Sequence, residues 1–405
     1  MPSETVHISG HIIDSLILPK ILDEIMDLEG NFEILDIRIG KRKTDTSTAR
    51  LRVTAPSQQA LDAVIKRIVR LGAAPDVLHD AQLVKATQDG VFPEHFYSTT
   101  NLATQVRYRG AWLPVQHIEM DCGVVVDAKR REARCTPITH IRRGDLVVCG
   151  AAGIQVTPLE RSRDKEVFQF MNSAVSSEKP KLQLIEGVAK TMKEMKRARR
   201  KTLVVGGPAI IHTGGGPYLE KLIRAGYVHV LFAGNGLATH DIESALFGTS
   251  LGVYLDRGVL AKDGHDHHMR AINAIRGCGS IREAVRSKVL TRGVMHACVT
   301  CDVSYVLGGS IRDDGPLPDV ITDTMKAQDE MRRRLDGVGL ALMIGSTLHA
   351  IATGNLLMAS VKTICVDINP AVVTKLADRG TFQSVGIVSD AASFLRELCV
   401  CLKLS

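Results

Sequence analysis

A chain of 405 residues has room for two or three domains with substantial cores, and 45% hydrophobic against 23% charged residues is a globular balance. Aromatic residues make up only 4%, too few for a platform that stacks single-stranded nucleic acid. The formal charge of +7 comes partly from local runs, KRR at 129–131 and KEMKRARRK at 193–201, which read as solvated helix face or an attraction for acidic ligands and do not call for a nucleic-acid partner.

Residues 1–80 are expected to form a small α+β domain. Strands at 5–12, 31–39 and 46–53 and helices at 17–28 and 58–71 give the β-α-β-β-α order of a ferredoxin-like unit, an accessory or capping element. Residues 81–180 read as β-rich, with strands at 117–119, 123–127 and 146–149, a charged surface turn at 160–168 and a hinge at 171–180. From 181 onward the pattern changes to short apolar runs beside helical stretches. Strands are expected at 202–205, 228–232, 303–307, 340–344 and 362–367. Helices are expected at 181–199, 217–225, 240–247, 268–277, 281–287, 319–335 and 371–379. This alternation predicts an α/β domain with a mostly parallel sheet over 181–405. No apolar segment is long enough to span a membrane, and residues 12–18 are interrupted by Asp14 and Ser15, unlike a secretory signal. Nine cysteines without a regular framework fit a reducing cytosol.

Chemistry is expected where apolar runs end in glycine. The segment LVVGGPAIIHTGGG (203–216) feeds a strand into two glycine clusters and then a helix, a way to bring backbone N–H groups to a phosphate, although its spacing fits neither G-x-G-x-x-G nor the Walker pattern. An ordinary strand-to-helix loop is the plainer alternative. FAGNGLATHD (232–241) offers Asn235 as donor and acceptor and His240 as a proton-exchanging group, with Asp241 either orienting it or capping a helix. In GGSIRDDGPLP (308–318), Asp313 and Asp314 can act as a base or grip an ammonium group, or make a solvated acidic turn. Asp367, just beyond a strand, can accept hydrogen bonds from ribose hydroxyls. The GHDHH run at 264–268 is too crowded to point to a metal, and Cys298–Cys301 is a single C-x-x-C pair, so no metal is expected. In the β-rich region Asn101, Arg109, Glu119 and Asp121 gather near expected strands; Arg107 or Arg109 can receive a carboxylate or pair with the acids.

Five stretches together resemble one family: HFYSTTN at 95–101, EMDCGVVVD at 119–127, LFAGNGLATHDIE at 231–243, GGSIRDDGPLPDVITD at 308–323 and VKTICVDINPAVVTKLADRG at 361–380. They are similar to the NAD-dependent ornithine cyclodeaminases of archaea and bacteria that carry the LOR/SDH conserved region, and to the C-terminal part of the cyanobacterial arginine dihydrolase/ornithine cyclodeaminases. The resemblance implies a C-terminal Rossmann-like domain of the deoxyhypusine synthase kind. It implies NAD at Gly206, Gly207, Thr213, Gly214, Gly215, Gly234, Asn235, Gly309, Ser310 and Asp367. It also implies conversion of L-ornithine to L-proline and ammonia by hydride transfer to and from bound NAD, in a homo-oligomer. Catalytic roles are then expected for Asp313, Asp314 and His240. Substrate contacts are expected from Arg109 to the α-carboxylate, from Glu119 or Asp121 to the distal ammonium, and from Asn101. A dehydrogenase of a basic amino acid or opine, and a non-catalytic NAD-binding module, are the alternatives.

Overall fold

The computed structural model describes residues 1–13, 15–42, 45–158, 181–261, 264–313, 315–378 and 384–404. The turn expected at 160–168 and the hinge at 171–180 lie outside them. Two compact units emerge, one of Met1–Gln169 with Asn355–Ser360 and one of Phe170–Gly354 with Val361–Ser405.

The first unit opens with β1 (Ser3–Gly10), α1 (Ile17–Asp27), β2 (Asn31–Arg38), β3 (Ser47–Thr54), α2 (Gln58–Val69) and the short β4 (Ala74–Pro75). The antiparallel sheet has the order β2-β3-β1-β4, the split βαβ arrangement of a ferredoxin-like fold. Alternation explains it: Val6 and Ile8 of β1, and Ala49, Leu51 and Val53 of β3, are buried, while Leu61, Val64, Ile65, Ile68 and Val69 form the buried stripe of α2. Ser57 caps α2 by accepting from the Ala60 N–H.

Seven further strands follow: β5 (Gln82–Lys85), β6 (Thr104–Tyr108), β7 (Ala111–Gln116), β8 (Gly123–Asp127), β9 (Glu132–Thr136), β10 (Leu146–Cys149) and β11 (Ile154–Val156), in the order β11-β6-β7-β9-β8-β10-β5. The strand expected at 117–119 is instead β7, which ends at Gln116 because His117 turns the chain with φ 55°. One cluster of buried apolar side chains includes Val6, Leu51 and Ile68 from the ferredoxin-like sheet and helix, together with Val106, Val124 and Cys135 from these strands.

The second unit is built on β12 (Lys201–Gly206), β13 (Val230–Gly234), β16 (Ser304–Gly308), β17 (Val320–Ile321), β18 (Val338–Ile344), β19 (Lys362–Asp367) and β20 (Ser384–Val388); a small hairpin, β14 (Thr249–Ser250) and β15 (Val253–Tyr254), precedes β16. The seven-stranded sheet is parallel throughout, in the order β17-β16-β13-β12-β18-β19-β20. Its runs are apolar on both faces, as in the wholly buried β18, because helices cover each side. Those helices are α3 (Lys181–Arg197), α4 (Ala209–His212), α5 (Gly216–Arg224), α6 (Asn235–Phe247), α7 (His267–Cys278), α8 (Ile281–Arg286), α9 (Val294–Thr300), α10 (Thr324–Arg334), α11 (Thr347–Leu356), α12 (Pro370–Asp378) and α13 (Ala391–Leu402). The helix expected at 319–335 starts later, since Val320 and Ile321 pair with β16 and Asp323 caps α10 through the N–H groups of Met325 and Lys326. β20, α9, α11 and α13 extend the expected pattern.

Candidate active site

In the parallel sheet the chain runs outward to β13 and β16 on one side of β12, and to β18, β19 and β20 on the other. The strand order therefore reverses between β12 and β18, and a crevice at the carboxyl ends of two such strands is where open α/β sheets take ligands. Gly207 follows β12 there, and Gly345 follows β18. Their backbones touch: a Cβ on Gly207 would lie 1.7 Å from the Gly345 carbonyl oxygen. Gly206 is less constrained, because a Cβ would meet the end of the Leu237 side chain at 2.7 Å.

The second glycine cluster closes a helix. Gly214 and Gly215 donate their N–H groups to the carbonyls of Ile211 and Ile210, which ends α4, and the Thr213 hydroxyl donates back to Ala209. These donors are spent inside the protein and shape a corner between α4 and α5, so these groups lend no support to the phosphate contacts expected of Thr213, Gly214 and Gly215.

Asn235 begins α6 at the carboxyl end of β13. It is buried, and its Oδ1 accepts from the Thr239 hydroxyl at 3.2 Å and the Leu317 N–H at 3.0 Å. Its carbonyl oxygen thus anchors the loop after β16. In that loop Gly309 donates to the Ile321 carbonyl, and the Asp313 carboxylate accepts from the Ser310 N–H at 2.8 Å. Asp314 lies outside the described residues. Asp367 ends β19, where one carboxylate oxygen accepts from the Asn369 N–H.

Two residues absent from the sequence-based set stand out, and the first of them joins this edge. His349, on α11, lies over both Gly234 and Gly308: Cβ atoms there would come within 2.9 Å of its Cε1 and 3.3 Å of its Nε2. Burial lowers its pKa, and the nearby Asp313 carboxylate opposes that shift. The second is Glu243, wholly buried on α6, which accepts from His240 Nδ1 at 2.8 Å. The signal for Glu243 was present as an acid three residues after His240 on one helix, whereas nothing in the sequence near His349 marked it. The rings of His212 and His240 meet edge to face with centroids 4.6 Å apart, and burial lowers the pKa of His212. Asp241, on the same helix, faces elsewhere and accepts from the N–H groups of Val294 and Met295, capping α9 and not orienting His240. Among the described residues no group of three or more His, Cys, Asp or Glu is arranged to hold a metal ion. Cys298 is buried on α9 while Cys301 is exposed, and both are free thiols.

In the first unit Glu119 is buried, and its carboxylate accepts from the Cys122 thiol at 3.0 Å. A hydrogen bond with Cys135, burial and this carboxylate all push the Cys122 thiol up, so it stays protonated. The Thr99 hydroxyl donates to the Glu119 carbonyl and accepts from the Cys122 N–H. Asn101 is fully buried, and its carbonyl accepts from the Ala359 N–H. The other two residues are turn residues. Asp121 is exposed with φ 62°, and Arg109 is exposed at the β6–β7 hairpin tip with φ 49°, its guanidinium over the Tyr108 ring. β6 (Thr104–Tyr108) lies between Arg109 and Asn101 in the chain. Arg107 pairs with Asp80.

Comparison with known proteins decides the family. Residues 186–398 match the Rossmann fold of the arginine dihydrolase ArgZ-like C-terminal region, residues 103–185 its first region, and residues 3–102 the LOR/SDH bifunctional enzyme conserved region. The chain belongs to this ArgZ-like family. It is 54% identical to the ornithine cyclodeaminase of Methanothermobacter thermautotrophicus, over 98% of this chain and 96% of that one. Among ArgZ-like structures it resembles apo ArgZ, an arginine dihydrolase from the ornithine-ammonia cycle in Cyanobacteria, with a TM-score of 0.87 and 38% identity over 99% of this chain and 58% of that one. It also resembles the ternary complex of AgrE with ornithine and NAD⁺, with a TM-score of 0.54 and 41% identity over 99% of this chain and 57% of that one. The chain therefore spans somewhat more than half of these two ArgZ-like proteins.

Proposed function

We propose that this protein is an ornithine cyclodeaminase, converting L-ornithine to L-proline and ammonia with NAD as its cofactor. Similarity to the M. thermautotrophicus ornithine cyclodeaminase over nearly the full length of both chains carries the reading. The crevice supports it. The close passage of Gly207 past Gly345, the start of α6 and the polar groups of Ser346 and Asp367 at the carboxyl edge suit a dinucleotide. Gly207 and Gly309, lacking side chains, would let the dinucleotide approach the backbone closely, and the Asp367 carboxylate would accept from ribose hydroxyls. Bound NAD supplies reversible hydride acceptance, so the α carbon is oxidised and reduced within one turnover and no net redox change results.

The protein's own work is proton handling and confinement. The α-amine of ornithine must lose a proton before its carbon yields hydride, and His240, tied to Glu243, is suited to accept it. Asp313 is suited to grip an ammonium group. Glu119 and Asn101 remain proposed substrate contacts, whereas the exposed turn positions of Arg109 and Asp121 give them no such support. Confinement brings the distal amine against the α carbon, closing the ring as ammonia leaves. In the same reading the enzyme forms proline in the cytoplasm as a homo-oligomer. Nine free cysteines support the compartment. Apolar Leu251, Val259 and Leu260, exposed in and beside the β14–β15 hairpin, support an interface between copies.

The test is to incubate the purified protein, without added cofactor, with ornithine labelled with ¹⁵N at the α-amine. Unlabelled proline and labelled ammonia are expected. Accumulation of NADH without proline would instead mark an ordinary dehydrogenase.

A further inference from the structure

Glu243 has no exposed surface, and its two carboxylate oxygens receive four donors. Oε1 accepts from the Thr249 hydroxyl at 2.9 Å and the Gly252 N–H at 3.0 Å. Oε2 accepts from His240 Nδ1 at 2.8 Å and the Leu251 N–H at 3.2 Å. Hydrogen counting then fixes what each partner carries. A carboxylate only accepts, so His240 must bear its proton on Nδ1. The Thr249 hydroxyl has one hydrogen and gives it to Glu243. Its 2.8 Å contact with His267 Nδ1 must therefore be a bond that the histidine donates. His267, too, is protonated on Nδ1. Two imidazoles on different helices, α6 and α7, are keyed to one buried carboxylate, one directly and one through a hydroxyl.

We infer that Glu243 is a positioning residue that locks His240 and His267 in the Nδ1–H tautomer, leaving Nε2 of each as the atom that accepts a proton. The ring of His212 packs edge to face on His240 and its Nδ1 lies 2.7 Å from the Ser250 hydroxyl, so the strand β14 that supplies Thr249 also holds the neighbouring imidazole. The tautomer assignment stands on hydrogen-bond geometry alone. Its catalytic consequence, Nε2 of His240 taking the proton of the substrate amine, rests on the proposed ornithine-cyclising reaction.

Glu243→Gln tests both. Each carboxylate oxygen faces one backbone N–H and one side-chain donor. An amide in either orientation therefore sets its NH₂ against a donor pair, and only the side chain of that pair can adapt. His240 or His267 must then move its proton to Nε2. In ¹⁵N spectra of the full-length protein, assigned with His240→Asn and His267→Asn, both Nδ1 nuclei are expected to be protonated in the wild type. One is expected to become unprotonated in Glu243→Gln. Thr249→Val, which cuts only the second branch, should change His267 and leave His240 as it was. An unprotonated His240 Nδ1 in the wild type, or unchanged tautomers at both histidines in Glu243→Gln, would overturn the assignment. Where His240 is the residue that shifts, kcat of Glu243→Gln with ornithine should fall by about 10²–10⁴, the usual share of a positioned acid–base group, while KM and copurified nucleotide change by less than about twofold; where His267 shifts instead, kcat should stay close to the wild type, and a large loss there would count against the role of His240. Unchanged kcat with a shifted His240 tautomer would remove the catalytic role. Absence of proline from the wild type would instead sink the functional reading and leave the tautomer result standing.

Discussion

Gly207 and Gly214 sit seven positions apart in one glycine-rich stretch, yet the fold asks different things of them. A Cβ at Gly207 would lie inside the Gly345 carbonyl oxygen, so Gly207→Ala must move backbone on both sides of the crevice. Overpacking costs about 1–3 kcal/mol and sometimes more, and this variant is expected at or above the top of that range. Gly214 has φ 80° and open space around its Cβ direction, so Gly214→Ala should cost only the left-handed backbone term of about 1–2 kcal/mol. Urea unfolding of the two variants measures the gap; equal losses would refute the reading. Asn235→Ala removes the acceptor of the buried Leu317 N–H as well as of Thr239. A stability loss of about 1–3 kcal/mol is expected from the orphaned donor, with a raised KM for ornithine as the loop bearing Asp313 loosens. The ornithine saturation curve checks the second effect.

Helix α6 carries two buried carboxyl groups that titrate in opposite directions. Burial raises Asp241 from 3.8 to about 7, despite the N–H groups of Met295 and Val294. Burial also pushes Glu243 upward, but His240, the Gly252 N–H and the Thr249 hydroxyl outweigh it, and the net shift is below 4.5. The signs follow from linkage. A raised folded value means that the contribution of Asp241 is complete below 3.8 and is lost as pH rises through about 7. A lowered folded value means that the contribution of Glu243 is present above 4.5 and is lost as pH falls through its folded value. Asp241→Asn should therefore flatten the stability profile between pH 4 and 7, and Glu243→Gln should flatten it below pH 4.5. Denaturant midpoints taken across pH check both, and the two variants exchanging effects would contradict the assignment. The capping of α9 by Asp241 also explains Gly293, which has φ 100° and would bring a Cβ within 2.9 Å of that carboxylate.

At the scale of the molecule the parallel sheet sets the crevice proposed for the dinucleotide. A ligand bound only by the folded state adds RT ln(1 + [L]/Kd) to stability, about 2.7 kcal/mol at a hundredfold excess over Kd. Nucleotide-free protein titrated with NAD⁺ should show this rise in its thermal midpoint, and a flat response would count against the crevice as a cofactor site. The apolar side chains of Leu251, Val259 and Leu260 predict a contact between copies. Leu260→Asp, changing a side chain that is 82% exposed, should lower the mass seen by light scattering, and the unfolding midpoint should fall only by the stabilisation that association supplies. An unchanged mass would place the interface elsewhere.

The ferredoxin-like order, the apolar strands of the second unit and the glycines that end them were legible in the amino-acid sequence, because each rests on neighbours at spacings of two, three or four residues. The family, too, was legible, from five motifs spread along the chain. Partners brought together by crossovers were not. His349 reaches Gly234 and Gly308 from another strand's connection, Asn235 spends its carbonyl oxygen on Leu317, and Asp241 serves a helix more than fifty residues away. Whether a glycine amide faces a ligand or a carbonyl, and which histidine nitrogen holds the proton, depends on hydrogen bonds between such distant segments. The local pattern fixed which chemical groups were present and on which elements; the packing of the parallel sheet decided what each group had left to offer.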